Sequence, residues 1–125
     1  MIIKTRNQIP AEEIVKLYGV KKELAIGPYD GSDQIVLRIL SLEPDRFMPV
    51  NAHDFPHIWK IEQGSGILTD GAGTEHQVTA GRFIFIPGNE PYGMRNNGDD
   101  KWGYLCFGTA DSEKAVPPKA SIAKE

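Results

Sequence analysis

Residues 81–96 read Gly81-Arg82-Phe83-Ile84-Phe85-Ile86-Pro87-Gly88-Asn89-Glu90-Pro91-Tyr92-Gly93-Met94-Arg95-Asn96. A short apolar run, Arg82 to Ile86, is stopped by Pro87-Gly88-Asn89, and a second short run, Tyr92 to Arg95, by Asn96-Asn97-Gly98-Asp99. Short strands with Gly, Pro and Asn punctuation belong to sandwiches and barrels. The same rhythm extends on either side: Lys22–Ile26, Gln34–Leu42, His57–Glu62, Gly66–Asp70, Glu75–Thr79 and, last, Lys101–Phe107. Asp70-Gly71 and Asn97-Gly98 are hairpin dipeptides, because both residue types accept positive φ cheaply. The clusters Gly64-Ser65-Gly66 and Gly71-Ala72-Gly73 also read as hairpin turns, since no helix follows them to make a phosphate-binding loop.

One stretch looks helical. Pro10-Ala11-Glu12-Glu13 resembles a first helical turn, Ile14, Leu17 and Tyr18 repeat at helical spacing, and Gly19 ends the run. The expected organisation is one domain over residues 1–108. A tail over 109–125, containing Pro117-Pro118, is expected to be poorly ordered or laid on a neighbouring subunit.

A chain of 125 residues buries enough surface to fold without a disulfide or metal, and the single Cys106 rules out an internal disulfide. Net charge is −3 with cations scattered among acids, which argues against nucleic acid and against an anionic membrane surface. No apolar run approaches the ~20 residues of a spanning helix. Met1-Ile2-Ile3 is cut at once by Lys4 and Arg6, unlike a signal peptide, so a soluble cytoplasmic protein is the expectation.

Alternation sorts side chains by face. If residues 51–61 are extended, Asn51, His53, His57, Trp59 and Ile61 share one face, and Tyr92, Met94 and Asn96 share a face later. The His-x3-His spacing is not the helical zinc-protease motif, because Pro56 lies inside it and Asp54 follows His53.

With these residues in place, the chain resembles the cupin superfamily. At the places of the first cupin motif, G-x5-H-x-H-x3-E-x6-G, the chain has Asp45, Asn51, His53, His57 and Gly64. At those of the second, G-x5-P-x-G-x2-H-x3-N, it has Gly81, Pro87, Asn89, Tyr92 and Asn96. The chain is more similar still to small bacterial cupins with four histidine ligands, over roughly residues 34–107. The resemblance implies an all-β, RmlC-like jelly-roll barrel (a double-stranded β-helix), here with a short N-terminal helical segment. It implies a polar pocket inside the barrel, with candidates Arg38, Asn51, His53, His57, Trp59, Tyr92, Tyr104 and Cys106.

At the four ligand positions stand His53 and His57, with Asn51 and Tyr92 where the subgroup has histidines. Two imidazoles, an amide oxygen and a phenol of ordinary pKa near 10 make a poor donor set. Binding of a divalent transition metal (Mn, Fe, Ni or Zn) is therefore expected to be weak or absent. Tyr92 is equally readable as a core residue bonding His53 or Asn51, and Asn51 as a turn former. Arg38 is either on a solvated edge or buried with a partner, and the resemblance points it into the pocket. Cys106 is most simply a small buried hydrophobe, with a place beside Tyr104 in the pocket implied by the resemblance. Trp59 and Trp102 read as core or interface, and His76 as solvent-exposed.

The function expected is binding of a small molecule in the barrel, with three forms open. These are a metal-dependent enzyme on a small organic substrate, a metal-free isomerase or epimerase with a histidine base and Tyr92 as acid, and a non-catalytic sensing module. Cupins of this size commonly pair, often through an N-terminal strand added to the partner's sheet, so with Met1 to Thr5 as that strand a homodimer is the expectation.

Overall fold

A computed structural model describes residues 1–15 and 19–114, without the side chains of 13–15, 113 and 114. Its strands are β1 (Ala11–Val15), β2 (Val20–Ile26), β3 (Ile35–Leu42), β4 (Phe47–Asn51), β5 (His57–Gln63), β6 (Ser65–Thr69), β7 (Glu75–Thr79), β8 (Phe83–Ile86), β9 (Tyr92–Arg95) and β10 (Trp102–Thr109). They form a six-stranded sheet in the order β1-β2-β3-β10-β5-β8 and a four-stranded sheet in the order β4-β9-β6-β7. The expected jelly-roll architecture is what the chain adopts.

Period-two patterning builds the core. Along β5, His57, Trp59 and Ile61 are buried while Ile58, Lys60 and Glu62 are exposed. Along β3, Val36, Arg38, Leu40 and Leu42 are buried. The two inner faces meet in one cluster that includes Leu42, Trp59, Ile61, Met94, Trp102 and Tyr104. Each large apolar side chain taken out of water contributes about 1.5–3 kcal/mol.

The corners explain the second motif's asparagine. Asn96 is 1% exposed; its Nδ2 donates to Leu42 O (2.9 Å) and Asp100 O (2.8 Å), and its Oδ1 accepts from Gly98 N–H (2.9 Å). One side chain thereby ties the end of β3 to the turn that carries β9 of one sheet into β10 of the other. Asn97-Gly98 is thus a crossing between sheets and not the expected hairpin, the inner-face demands of both sheets overriding the local turn preference. The Gly64-Ser65-Gly66 expectation is corrected likewise. Gly64 (φ +74°) is the corner between β5 and β6, and a Cβ there would lie 2.1 Å from Lys101 O. Gly66 lies within β6, where a Cβ would come within 2.2 Å of the Trp102 indole. Asp70-Gly71 does lie between the paired strands β6 and β7, but the positive φ falls on Gly73.

The expected N-terminal helix is replaced by β1. Ala11–Val15 pairs antiparallel with β2, setting Glu12 opposite Lys22 and Glu13 opposite Lys21. An isolated two-turn helix is marginal in water, whereas the strand gains ladder hydrogen bonds and cross-strand opposite charges. Leu17 and Tyr18 lie outside the described residues. Helical geometry among the described residues is confined to 3-10 turns at Arg6–Gln8 and Pro28–Asp30 and a single turn, α1 (Asp111–Lys114). β4 was not legible as a strand, because Pro49 interrupts it; an edge position and an irregular register between Met48 and Asn51 accommodate the proline.

Packing continues past residue 108. Thr109 ends β10, and Ala110 is 1% exposed and donates its N–H to Gln34 O (2.9 Å). Ser112 is buried against Arg38. Residues 115–125, the rest of the expected tail, lie outside the described residues. No described helix is long and apolar enough to cross a membrane.

Candidate functional site

The site begins at the break between β4 and β5. The chain leaves the four-stranded sheet after Asn51 and enters the six-stranded sheet at His57, so residues 51–61 are not one strand. The shared parity of Asn51 and His53 with His57 therefore does not hold. Asn51 is exposed, and its Oδ1 accepts from Ala52 N–H at 2.8 Å, the turn-forming use of the residue. His53 stays at the pocket for another reason. The Pro87-Gly88-Asn89 turn clamps its backbone: Asn89 N–H donates to His53 O at 2.5 Å, and Gly88 lets Asp54 O come within 2.9 Å of where a Cβ would stand. Asn89 has φ +68°, a left-handed conformation that asparagine tolerates better than most residues.

Three rings converge there. Ring centroids lie 5.5 Å apart for His53 and His57, 6.0 Å for His53 and Tyr92, and 6.2 Å for His57 and Tyr92. Phe55, which sequence reasoning missed, stacks on His53 at 5.1 Å and meets His57 edge-on at 5.0 Å. Its signal was an aromatic between two site histidines, but nothing in strand parity could place it on a loop. Beneath them Trp59 packs on Tyr104 at 4.3 Å and edge-on to Tyr92 at 5.6 Å. Trp59 and Tyr104 are thus the floor, and the Tyr104 hydroxyl donates to Met94 Sδ at 3.6 Å.

Arg38 settles on the buried alternative. It is 7% exposed on the inner face of β3, opposite Cys106, donating from Nη1 to Cys106 Sγ (3.6 Å) and from Nη2 to Ser112 Oγ. Ser112 in turn donates to Thr109 O at 2.6 Å. Cys106 is buried and forms no disulfide among the described residues.

His57 is 5% exposed, and both of its ring nitrogens are buried without a hydrogen-bond partner among the described residues. Burial first, then the Arg38 charge and His53, push its pKa down to about 4, so the ring is neutral at physiological pH. His53 is lowered too, by burial and then Arg38, against a weaker opposing pull from Asp54. Burial, then Cys106, raise the Tyr92 phenol, with Arg38 opposing, so Tyr92 remains a protonated donor. The site pairs neutral acceptors with a neutral donor beside one guanidinium.

Two imidazoles, an exposed amide and a phenol are a poor donor set for a transition-metal centre. Among the described residues no three His, Cys, Asp or Glu side chains are placed to share a metal ion. Asn51 Oδ1 accepts from Ala52 N–H, and Tyr92 is a phenol that would need a metal's own charge to ionise.

Two cavities reach this region. One, of about 210 Å³, is a depression on the outer face of the six-stranded sheet, lined by the exposed Ile35, Ile58, Phe85 and Phe107 with His57 at its base. The other, of about 450 Å³, opens between β7 and β8 and has Tyr92 in its wall, but neither His53 nor His57. His76 lines it beside Asp70. It is half-exposed, as expected, but alternation with Val78 also places it on the cavity side, a role that sequence reasoning did not assign.

Comparison with known proteins agrees with this architecture. The polyketide cyclase RemF from Streptomyces resistomycificus superposes with a TM-score of 0.79 at 26% identity, over 88% of this chain and 80% of that one. An RmlC-like cupin from Shewanella frigidimarina has a TM-score of 0.74 at 16% identity, over 90% and 94% of the two chains. KdgF from Halomonas sp. has a TM-score of 0.74 at 9% identity, over 90% and 97%. No curated protein matches the sequence. The sequence pattern of the AraC-like ligand binding domain matches residues 35–112, most of the barrel. With that match the chain belongs to the AraC-like ligand binding domain family, and it shares the barrel fold of RmlC-like cupins.

Proposed function

We propose that the barrel binds a small keto or enol compound at His57 and moves a proton on it without a metal. One observation carries the reading: a buried neutral imidazole with both nitrogens unpartnered, 6.2 Å in ring centroid from a phenol that stays protonated. Burying polar atoms without partners costs about 1–3 kcal/mol each, a cost that a bound ligand would offset. In this reading a ring nitrogen of His57 accepts a proton from the carbon next to a carbonyl. Tyr92 donates its hydroxyl proton towards the carbonyl oxygen, and the Arg38 charge stabilises the negative charge that develops. The likeness to a polyketide cyclase at 26% identity supports a keto substrate.

The test is exchange of the ring-carbon protons of 2-tetralone in deuterated buffer, followed by NMR. The wild type should accelerate exchange, and His57→Leu and Tyr92→Phe should each lower that acceleration by roughly 100-fold. Exchange equal in wild type and His57→Leu refutes the assignment. Binding without turnover is the second reading, favoured by the family's description as a ligand-binding domain. It predicts saturable shifts of the His57 signals with no accelerated exchange.

A further inference from the structure

A separate constellation lies on the far side of Tyr92. The cavity between β7 and β8 takes its walls from strand alternation: Leu68 from β6, Val78 from β7, and Ile84 and Ile86 from β8. Leu68 is the cross-strand partner of His76, so the imidazole stands at the end of this apolar wall. At about 450 Å³ the space falls within the range of small-molecule sites.

The polar end is built around Asp70. Its Oδ1 accepts from Ala72 N–H (2.9 Å) and Thr74 N–H (3.0 Å), and its Oδ2 lies 2.8 Å from His76 Nε2. The contact with His76, followed by the Thr74 N–H, holds the Asp70 carboxyl below its ordinary range. A carboxylate can only accept, so the Nε2 facing Asp70 carries a proton, and in the neutral form of the ring Nδ1 is the acceptor. Charge narrows the ligand further. Asp70 and Glu90 line the cavity against the single guanidinium of Arg82, which disfavours carboxylates and phosphates. Glu90 is itself engaged by Gly71 N–H at 3.0 Å.

We propose that this cavity is a binding site for a neutral, flat ring compound bearing a hydroxyl group. The hydroxyl donates to His76 Nδ1, and the ring lies among Leu68, Val78, Ile84 and Ile86. Asp70 is the positioning residue that sets the tautomer. The site uses nothing of the His57 assignment except the shared wall at Tyr92.

The test uses 2-naphthol and, as its hydroxyl-free counterpart, naphthalene, titrated into the full chain labelled at histidine nitrogens and at Leu, Val and Ile methyls. Saturable shifts are expected at His76 Nδ1 and at the Leu68, Val78 and Ile84 methyls, with naphthol binding roughly tenfold more tightly than naphthalene. Asp70→Asn should raise the fraction of His76 protonated at Nδ1 and erase most of that tenfold preference while naphthalene binding stays. His57→Leu should leave naphthol binding intact, so this site and the His57 assignment fail independently. Equal affinity for the two probes overturns the proposal, as do shifts confined to His53 and His57 or no saturable shift at the cavity methyls.

Discussion

Replacing His57 by leucine should make the ligand-free protein more stable, and increasingly so as the pH falls. At neutral pH the substitution removes a buried ring whose two nitrogens have no partner among the described residues, and puts an apolar group of similar volume among Phe55, Trp59 and Tyr92. Relief of that desolvation should stabilise the fold by about 1–3 kcal/mol. The pH dependence follows from the depressed pKa. In the unfolded chain His57 takes up its proton near 6.5, and in the folded chain near 4, so between those values the unfolded state binds more protons. The wild type therefore has the full benefit above about pH 6.5 and loses it as pH falls towards 4, at ~1.4 kcal/mol per pH unit, or roughly 3 kcal/mol in all. The leucine chain lacks this dependence. His53, shifted the same way, is present in both chains and cancels to first order. Urea unfolding of both chains at steps from about pH 4 to 7 reads the difference directly. A stability gap that does not widen as pH falls would refute the burial of an uncharged His57. A leucine chain less stable than wild type by about 2 kcal/mol at pH 7 would show that the imidazole has partners after all.

Asn96→Ala removes three hydrogen bonds at a buried corner and should cost about 2–4 kcal/mol, read from the same unfolding curves, whereas exposed Asn97→Ala should change little. Wild-type affinity for manganese and zinc should be weak by calorimetry; Asn51→His with Tyr92→His, which changes a cross-strand pair, should tighten it by orders of magnitude. Asn51→His with Tyr92→Ala should not, and tight stoichiometric binding by the wild type would make Asn51 or Tyr92 a working ligand. The outer face of the six-stranded sheet carries Ile58, Phe85 and Phe107 in register, with Phe83 74% exposed nearby, and Met1–Ile3 extends, exposed, beyond the Lys4–Asp30 ion pair (2.8 Å). A homodimer covering this face is expected by light scattering at micromolar concentration, with Phe85→Lys shifting it to monomer.

Strand positions other than β1 and β4, the paired motifs and the inner faces of β3 and β5 were legible in the sequence because a half-buried strand writes its environment into every second residue. Trp59 and Ile61 inside and Ile58 and Lys60 outside follow from alternation alone. Alternation stops at corners, where the sequence-based reading went wrong. Asn51 and His53 were assigned to one face with His57, yet a sheet change intervenes, and only the Gly88-Asn89 clamp returns His53 to the pocket. Residues 10–15 satisfied the local signals of a helix start, but the choice between helix and strand was made by β2, whose lysines sit opposite Glu12 and Glu13. The partners of Arg38 were equally out of reach. Ser112 lies 74 residues away in a segment whose composition suggested a tail, and it meets the guanidinium because β10 returns beside β3. Local residue order thus determined which side chains could face inwards. Long-range pairing decided which of them meet, because each contact at the site joins strands whose register is set by the whole sheet and not by the residues at the contact.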